Sequence, residues 1–299
     1  MSERQTLSYL HSRFAAAGIQ PQTRFGQNFL IDLNLVQLIA NTAELGPRDV
    51  VLEIGTGVGS LTQLLAAQAG QVITVEIDAL MARLAMEEIG EAPNVTLLQQ
   101  DALKSKNCLH PVVLQALRDK LAQIPGGRLK LVANLPYNVA TPILSNMLDL
   151  EPWPVRMVAT IQKELAERIT ARPSTKDYSA LSVWMQAQCH TELVRILSPK
   201  VFWPRPKVHS AILDIRPQKV LRGRIVDPPN FHQLVRGIFL HRRKLLRSAL
   251  QSAVHSKLSK PQIDEILGSM ELPGNTRAEE LNPQQLIELA ELVANYLAA

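Results

Sequence analysis

Asn134-Leu135-Pro136-Tyr137 sets a side-chain amide, a rigid imino acid and an aromatic ring at the end of an apolar run, 129–133. A purine's exocyclic amine is a poor nucleophile because its lone pair is delocalised into the ring. Acceptors that draw the NH2 group toward tetrahedral geometry localise that pair, and no strong base is then required. The Asn134 side-chain oxygen and the Leu135 carbonyl can each accept one N–H for this purpose. Pro136 keeps the loop from collapsing. Tyr137 offers a flat face to a base extruded from its stack, as enzymes that modify bases require. The chemistry implied is methylation of the N6 amine of adenine, with Asn134, Leu135 and Tyr137 at the reacting centre. Alone, the tetrad would pass for an ordinary strand-to-turn Asn-x-Pro, so its meaning depends on its surroundings.

A glycine run lies upstream. Glu53-Ile54-Gly55-Thr56-Gly57-Val58-Gly59 ends one β-branched run and opens a helical pattern. Glycines such as Gly55 and Gly57 allow a tight turn and close approach of a ligand at the carboxyl end of a strand, where open α/β sheets bind cofactors. The dinucleotide fingerprint needs a glycine at position 60, where Ser60 stands, and this favours a nucleoside without a pyrophosphate. Glu76 ends the next strand 21 residues after Gly55, where a carboxylate can accept both hydrogen bonds of a ribose diol. Asp101 ends the third strand in the same way and can receive the amino group of an adenine. Either acid alone would read as a helix N-cap. Together with the glycines they outline an adenosine lying across three strand tips.

The elements that must hold these groups are legible in the patterning. From about residue 50, short β-branched runs at 50–54, 72–77, 95–99, 129–133 and 155–161 alternate with helical patterns such as 61–69 and 79–89. That alternation predicts an α/β domain with a parallel sheet covered on both faces. Two further runs, 193–197 and 211–215, are joined by a loop containing Pro199, Pro204 and Pro206 and are expected as an antiparallel edge addition. After Pro228-Pro229, the stretches 231–241, 245–258, 261–267 and 283–297 read as helices. The expected division is therefore 1–217 for the α/β domain and 218–299 for a small all-helical domain. Segment 104–128 is long for one connection, carries a helical pattern at 111–122, and is expected as a variable insertion.

Charge points to a polyanion. Residues 195–260 hold 15 Lys and Arg against Asp214 and Asp227, a local net of +13 within a chain of net +5. Such an excess is the footprint of nucleic acid, because neutralising phosphates releases counterions. Arg205, Lys207, Arg242, Arg243, Lys244 and Arg247 are its candidate RNA contacts. Cys108 and Cys189 stand far apart in no metal-ligand spacing, so neither a disulfide framework nor a metal site is expected. No apolar run is long enough to span a membrane and residues 1–13 lack a signal-peptide pattern, so the protein is expected in the cytoplasm.

Nearly the whole chain resembles the ribosomal RNA adenine dimethyltransferase family, in its bacterial small-subunit branch. The resemblance is carried by the motifs above together with Phe25-Gly26-Gln27-Asn28-Phe29-Leu30, Gln162-Lys163-Glu164 through Arg168-Ile169, and Tyr178-Ser179-Ala180-Leu181-Ser182-Val183. It continues through Phe202-Trp203-Pro204-Arg205-Pro206-Lys207-Val208-His209-Ser210 and Arg242-Arg243-Lys244. The resemblance implies a Rossmann-like, S-adenosylmethionine-dependent methyltransferase sheet with a helical RNA-recognition domain. It implies cofactor contacts from Asn28, Leu30, Gly55, Glu76, Asp101 and Asn134, and that Phe202 stacks on the target base opposite Tyr137. From the residues alone, Asn28 reads as a turn residue and Phe202 as a core aromatic. The implied substrate is a pair of adjacent adenines in a hairpin near the 3′ end of small-subunit RNA, within an immature 30S-type particle, met by a monomeric enzyme. Three other readings compete: a nucleotide-dependent oxidoreductase, a non-catalytic RNA-binding assembly factor, and a dimethyltransferase of large-subunit RNA. Ser60 and the Asn-Leu-Pro-Tyr tetrad oppose the first. Intact Asn134, Tyr137 and Glu76 oppose the second. The Phe-x-Pro-x-Pro-x-Val-x-Ser run favours the small-subunit branch over the third, by analogy.

Overall fold

The computed structural model describes residues 7–18, 21 and 26–298. Phe25 lies outside them. The chain divides into two compact units, Met1–Ala166 with Glu192–Arg216, and Glu167–Thr191 with Pro217–Ala299.

The first unit is built on a seven-stranded sheet of β1 (Asp49–Ile54), β2 (Gln71–Glu76), β3 (Val95–Gln99), β4 (Arg128–Asn134), β5 (Arg156–Gln162), β6 (Cys189–Leu197) and β7 (Ser210–Pro217). Their spatial order is β3-β2-β1-β4-β5-β7-β6, with the first five parallel. The chain winds outward from β1 to β3 and then crosses back to β4. The winding therefore reverses between β1 and β4, and a crevice opens beyond their carboxyl ends. Val50, Val51, Leu52, Leu131, Val132 and Ala133 are all fully buried, as befits central parallel strands covered by helices on both faces. One covering helix, Leu33–Thr42, buries Leu35, Val36, Ile39 and Ala40 at helical spacing. Another, Ala79–Ile89, starts at Asp78, whose carboxylate accepts from the Leu80 and Met81 amides.

The expected antiparallel edge addition is present: β7 runs antiparallel to β5, and β6 follows it as the outermost strand. A bidentate pair from Arg156 to Asp214, at 2.9 and 2.8 Å, fastens β5 to β7. Segment 104–128 carries the expected helix. After a short antiparallel pair, Leu103–Ser105 with Cys108–Leu109, it forms the helix Pro111–Ala122, which buries Val113 and Leu117 and packs against β1 and β2 as the crossover to β4. One expectation changes: residues 167–191, expected in the first domain, group with the C-terminal helices.

The reason lies in the side chains of the second unit. The helix Ala180–Gln186 buries Val183, Trp184 and Met185 and packs against the helix Pro228–Phe239. Trp184 lies 6.4 Å from Phe231, and Tyr178 meets Phe239 edge-on at 5.7 Å. The Tyr178 hydroxyl donates to the Leu281 carbonyl at 2.9 Å. Further helices at Leu246–Ala253, Lys260–Ser269 and Pro283–Ala298 complete this all-helical body. No helix among the described residues is long and apolar enough to cross a membrane.

Candidate active site

A cavity of about 390 Å³ opens at the strand tips of the first unit, walled by residues 26–30, the glycine loop, the ends of β2 and β3, and residues 134–139. Gly55 and Gly57 have φ of 86° and 56°, the left-handed region where a side chain is strained. A Cβ on Gly55 would stand 3.4 Å from Pro136 Cδ, and one on Gly57 would stand 3.2 Å from the Phe29 ring. The glycines thus let both neighbouring walls close on the loop.

Glu76 is buried at the end of β2. Its Oε2 accepts from the Gly57 amide and its Oε1 from the Asp78 amide, each at 3.0 Å. Burial raises its pKa above the ordinary carboxylate range, against the pull of these amides. Below it lies a carboxyl that the sequence reading missed. Glu53 is fully buried, its Oε2 accepts from the hydroxyls of Thr62 and Thr74 at 2.6 and 2.7 Å, and burial pushes its pKa up to about 8. An acid within the apolar run 50–54 was the signal that could have found it. Asp101 lines the cavity but is exposed, two residues beyond the end of β3, and its Oδ1 accepts from the Leu103 amide at 2.9 Å. Glu53, Glu76 and Asp101 are the only carboxyl groups in the described wall, and no Lys, Arg or His joins them. Such a wall disfavours a pyrophosphate and suits a ligand carrying positive charge.

The tetrad sits opposite. The Leu135 amide donates to the Thr160 carbonyl at 3.1 Å, which ties the tip of β4 to β5. The Asn134 amide nitrogen donates to the Asn28 carbonyl at 2.9 Å. Only the nitrogen can donate there, so the side-chain oxygen is the atom left to accept. Tyr137 is half-buried in the cavity wall and its hydroxyl shares a hydrogen bond with the buried Ser210 hydroxyl at the start of β7. Burial raises the phenol's pKa, so it remains protonated. Asn28 and Leu30 line the cavity as well, held by antiparallel pairing of Phe29–Leu30 with Phe202–Trp203.

That pairing corrects the role of Phe202. With Leu30 opposite it in register, its ring is 3% exposed in a core cluster with Leu30, Val36 and Ile39, and it is not part of the cavity wall. Phe202 supports the wall from behind, and of the two aromatics only Tyr137 lines the cavity.

The six basic candidates also separate. Arg205 and Lys207 are exposed in the first unit, and Arg243 and Lys244 in the second. Arg242, by contrast, donates to the Tyr178 carbonyl at 2.6 Å and faces Glu279 at 3.5 Å. Arg247 forms a two-point pair with Asp264. Both are paired within the helical unit, Arg242 half-buried and Arg247 in an exposed pair.

A mainly parallel sheet with an acid-lined cavity at its strand tips, beside an Asn-Leu-Pro-Tyr loop, is the architecture of an α/β methyltransferase. The family model for ribosomal RNA adenine dimethylase matches residues 18–293, and the chain belongs to that family. It is 35% identical over 295 residues to the Methanopyrus kandleri protein named "Probable ribosomal RNA small subunit methyltransferase A", covering 97% of this chain and 98% of that one. The Ligilactobacillus salivarius ribosomal RNA small subunit methyltransferase A is 38% identical over 275 residues, 92% of this chain and 90% of that one. Among solved structures, a dimethyladenosine transferase from Plasmodium falciparum shares the fold, with a TM-score of 0.74 at 22% identity over 89% of this chain and 97% of that one. The 23S rRNA methyltransferase ErmE superposes with a TM-score of 0.64 at 26% identity, over 89% of this chain and 99% of that one.

Proposed function

We propose that this protein transfers methyl groups from S-adenosylmethionine to the N6 amines of two adjacent adenines in a hairpin near the 3′ end of small-subunit ribosomal RNA. The product is N6,N6-dimethyladenosine, made in the cytoplasm by a monomer acting on an immature small-subunit particle. One observation carries the chemistry: the Asn134 nitrogen is spent on the Asn28 carbonyl, which leaves its oxygen to accept an N–H at the cavity.

The described wall fits the cofactor, since three carboxyls and no basic side chain suit a nucleoside with a cationic centre. Glu76 would take the ribose diol on its remaining lone pairs, Asp101 the adenine amine, and Gly55, Gly57, Asn28 and Leu30 would line its path. S-adenosylmethionine supplies an electrophilic methyl group on a sulfonium, so a C–N bond forms as the C–S bond breaks and the amine's extra proton leaves to solvent. The chain's own part is to prepare the amine. The Asn134 oxygen and the Leu135 carbonyl each accept one N–H and localise the lone pair, an electrostatic effect worth about 10²–10³ in rate. Tyr137, its hydroxyl tied to Ser210, presents a fixed face worth about 1–3 kcal/mol of base stacking. Arg205, Lys207, Arg243 and Lys244 would hold phosphates, which position the RNA without reading its sequence.

The test is to incubate the purified protein and labelled S-adenosylmethionine with immature small subunits, mature small subunits and large-subunit RNA, then map the modified base. Dimethylated adenines in the immature small-subunit RNA support the reading. Label confined to large-subunit RNA would move the protein to the other branch of rRNA adenine dimethylation, and no label in any RNA would make it a binding protein only.

A further inference from the structure

Which amide atom of Asn134 faces the cavity is decided outside β4. The deciding group is the carbonyl of Asn28, on a segment 106 residues away in sequence. That segment is itself a tight turn: Gly26 has φ 65°, and the Asn28 side chain donates to the Gly26 carbonyl at 3.1 Å. Room for this turn is scarce, because a Cβ on Gly26 would stand 3.3 Å from Asn138 Oδ1. Between the two sits Gln27, whose Nε2 donates to Asp78 Oδ2 at 3.0 Å. Asp78 is buried, its amide donates to Glu76, and its other oxygen caps the helix Ala79–Ile89. It is therefore a fixed anchor beside the acid expected to bind ribose.

We propose that Gln27 is a positioning residue for methyl transfer: its bond to Asp78 latches the wall of residues 26–30 shut, and the shut wall aims the Asn134 oxygen through the Asn28 carbonyl. Cofactor site and amine site then close as one unit. The inference rests on the functional reading above, since it concerns the same reaction.

The experiment uses the full-length protein, S-adenosylmethionine and undermethylated small subunits. Gln27→Leu keeps side-chain size and removes the donor. Single-turnover methyl transfer at saturating cofactor and RNA should fall about tenfold, the value of one lost hydrogen bond to a charged group. S-adenosylmethionine affinity by calorimetry should fall less than the rate does. Amide exchange at Ile31, which donates to the Val201 carbonyl, should speed up. Asp78→Asn should retain more of the rate than Asp78→Ala, because an amide at 78 can still pair with the Gln27 amide. In an Asp78→Ala background, Gln27→Leu should add nothing. Independent, additive losses from the two substitutions would overturn the latch, as would a normal rate and unchanged exchange in Gln27→Leu. Turnover by the unaltered protein reports separately on the functional reading, so the two failures are distinguishable.

Discussion

Replacing Asn134 tests the proposed chemistry most directly. Asn134→Ala removes two things at once: the acceptor aimed at the amine and the donor to the Asn28 carbonyl, now 2.9 Å from the side-chain nitrogen. The second loss leaves a part-buried carbonyl without that partner and should cost about 1 kcal/mol of stability, measurable by denaturant titration. The first should cost about 10²–10³ in the methyl-transfer rate, equivalent to about 2.7–4 kcal/mol at the barrier. RNA affinity should hardly change, since phosphate contacts dominate docking. Asn134→Asp sharpens the argument. It keeps an acceptor and the side chain's shape, but sets a carboxylate oxygen against the Asn28 carbonyl, so the group must turn away and the rate should fall as in Asn134→Ala. The assay is single-turnover transfer at saturating S-adenosylmethionine and undermethylated small subunits. A near-normal rate in Asn134→Ala would mean that other groups orient the amine. A near-normal rate in Asn134→Asp would mean that acceptor chemistry matters and orientation does not.

Other perturbations separate the remaining groups. Glu53 has its pKa raised to about 8 in the folded protein, so the native state keeps a proton that the unfolded chain loses in the ordinary carboxylate range. Its contribution to stability is present at low pH and lost as pH rises from about 4.5 to about 8. Glu53→Gln cannot titrate, and its stability relative to the unaltered protein should climb across that window. A stability difference that stays constant with pH would show that folding does not shift the Glu53 carboxyl. Phe202→Ala empties a core position and should cost about 3–5 kcal/mol of stability. A stable variant with a specific loss of base binding would instead return Phe202 to the substrate site. Replacing Arg243 and Lys244 together should lower the log–log salt slope of RNA binding by about two, one per phosphate contact, with cofactor affinity unchanged. Replacing Arg247, already paired with Asp264, should leave the slope alone; a slope reduced as much as by Arg243 would show that RNA breaks that pair.

Much of this protein could be read along the chain. The helices at Ala79–Ile89 and Pro111–Ala122 and the strand Val95–Gln99 lie where periodicity predicted them, because a short segment's pattern of apolar and polar residues decides which face it can bury. The glycine loop, Glu76 and the tetrad were legible for the same reason: a left-handed turn or a strand-end acid is a property of a few neighbouring residues. Arg242 and Arg247 show where that reading stops. An arginine in a basic run looks free for phosphate until charge pairing is known, and folding sets these two against Glu279 and Asp264. Phe202, a core aromatic by its residues and a stacking residue only by resemblance, lies buried opposite Leu30. Residues 167–191 joined the helical unit because Tyr178 and Trp184 found their partners there. The orientation of Asn134 belongs to the same class. Its amide is set by a carbonyl 106 residues away, and such a partner is chosen by how the chain buries its apolar surface, which no local pattern specifies.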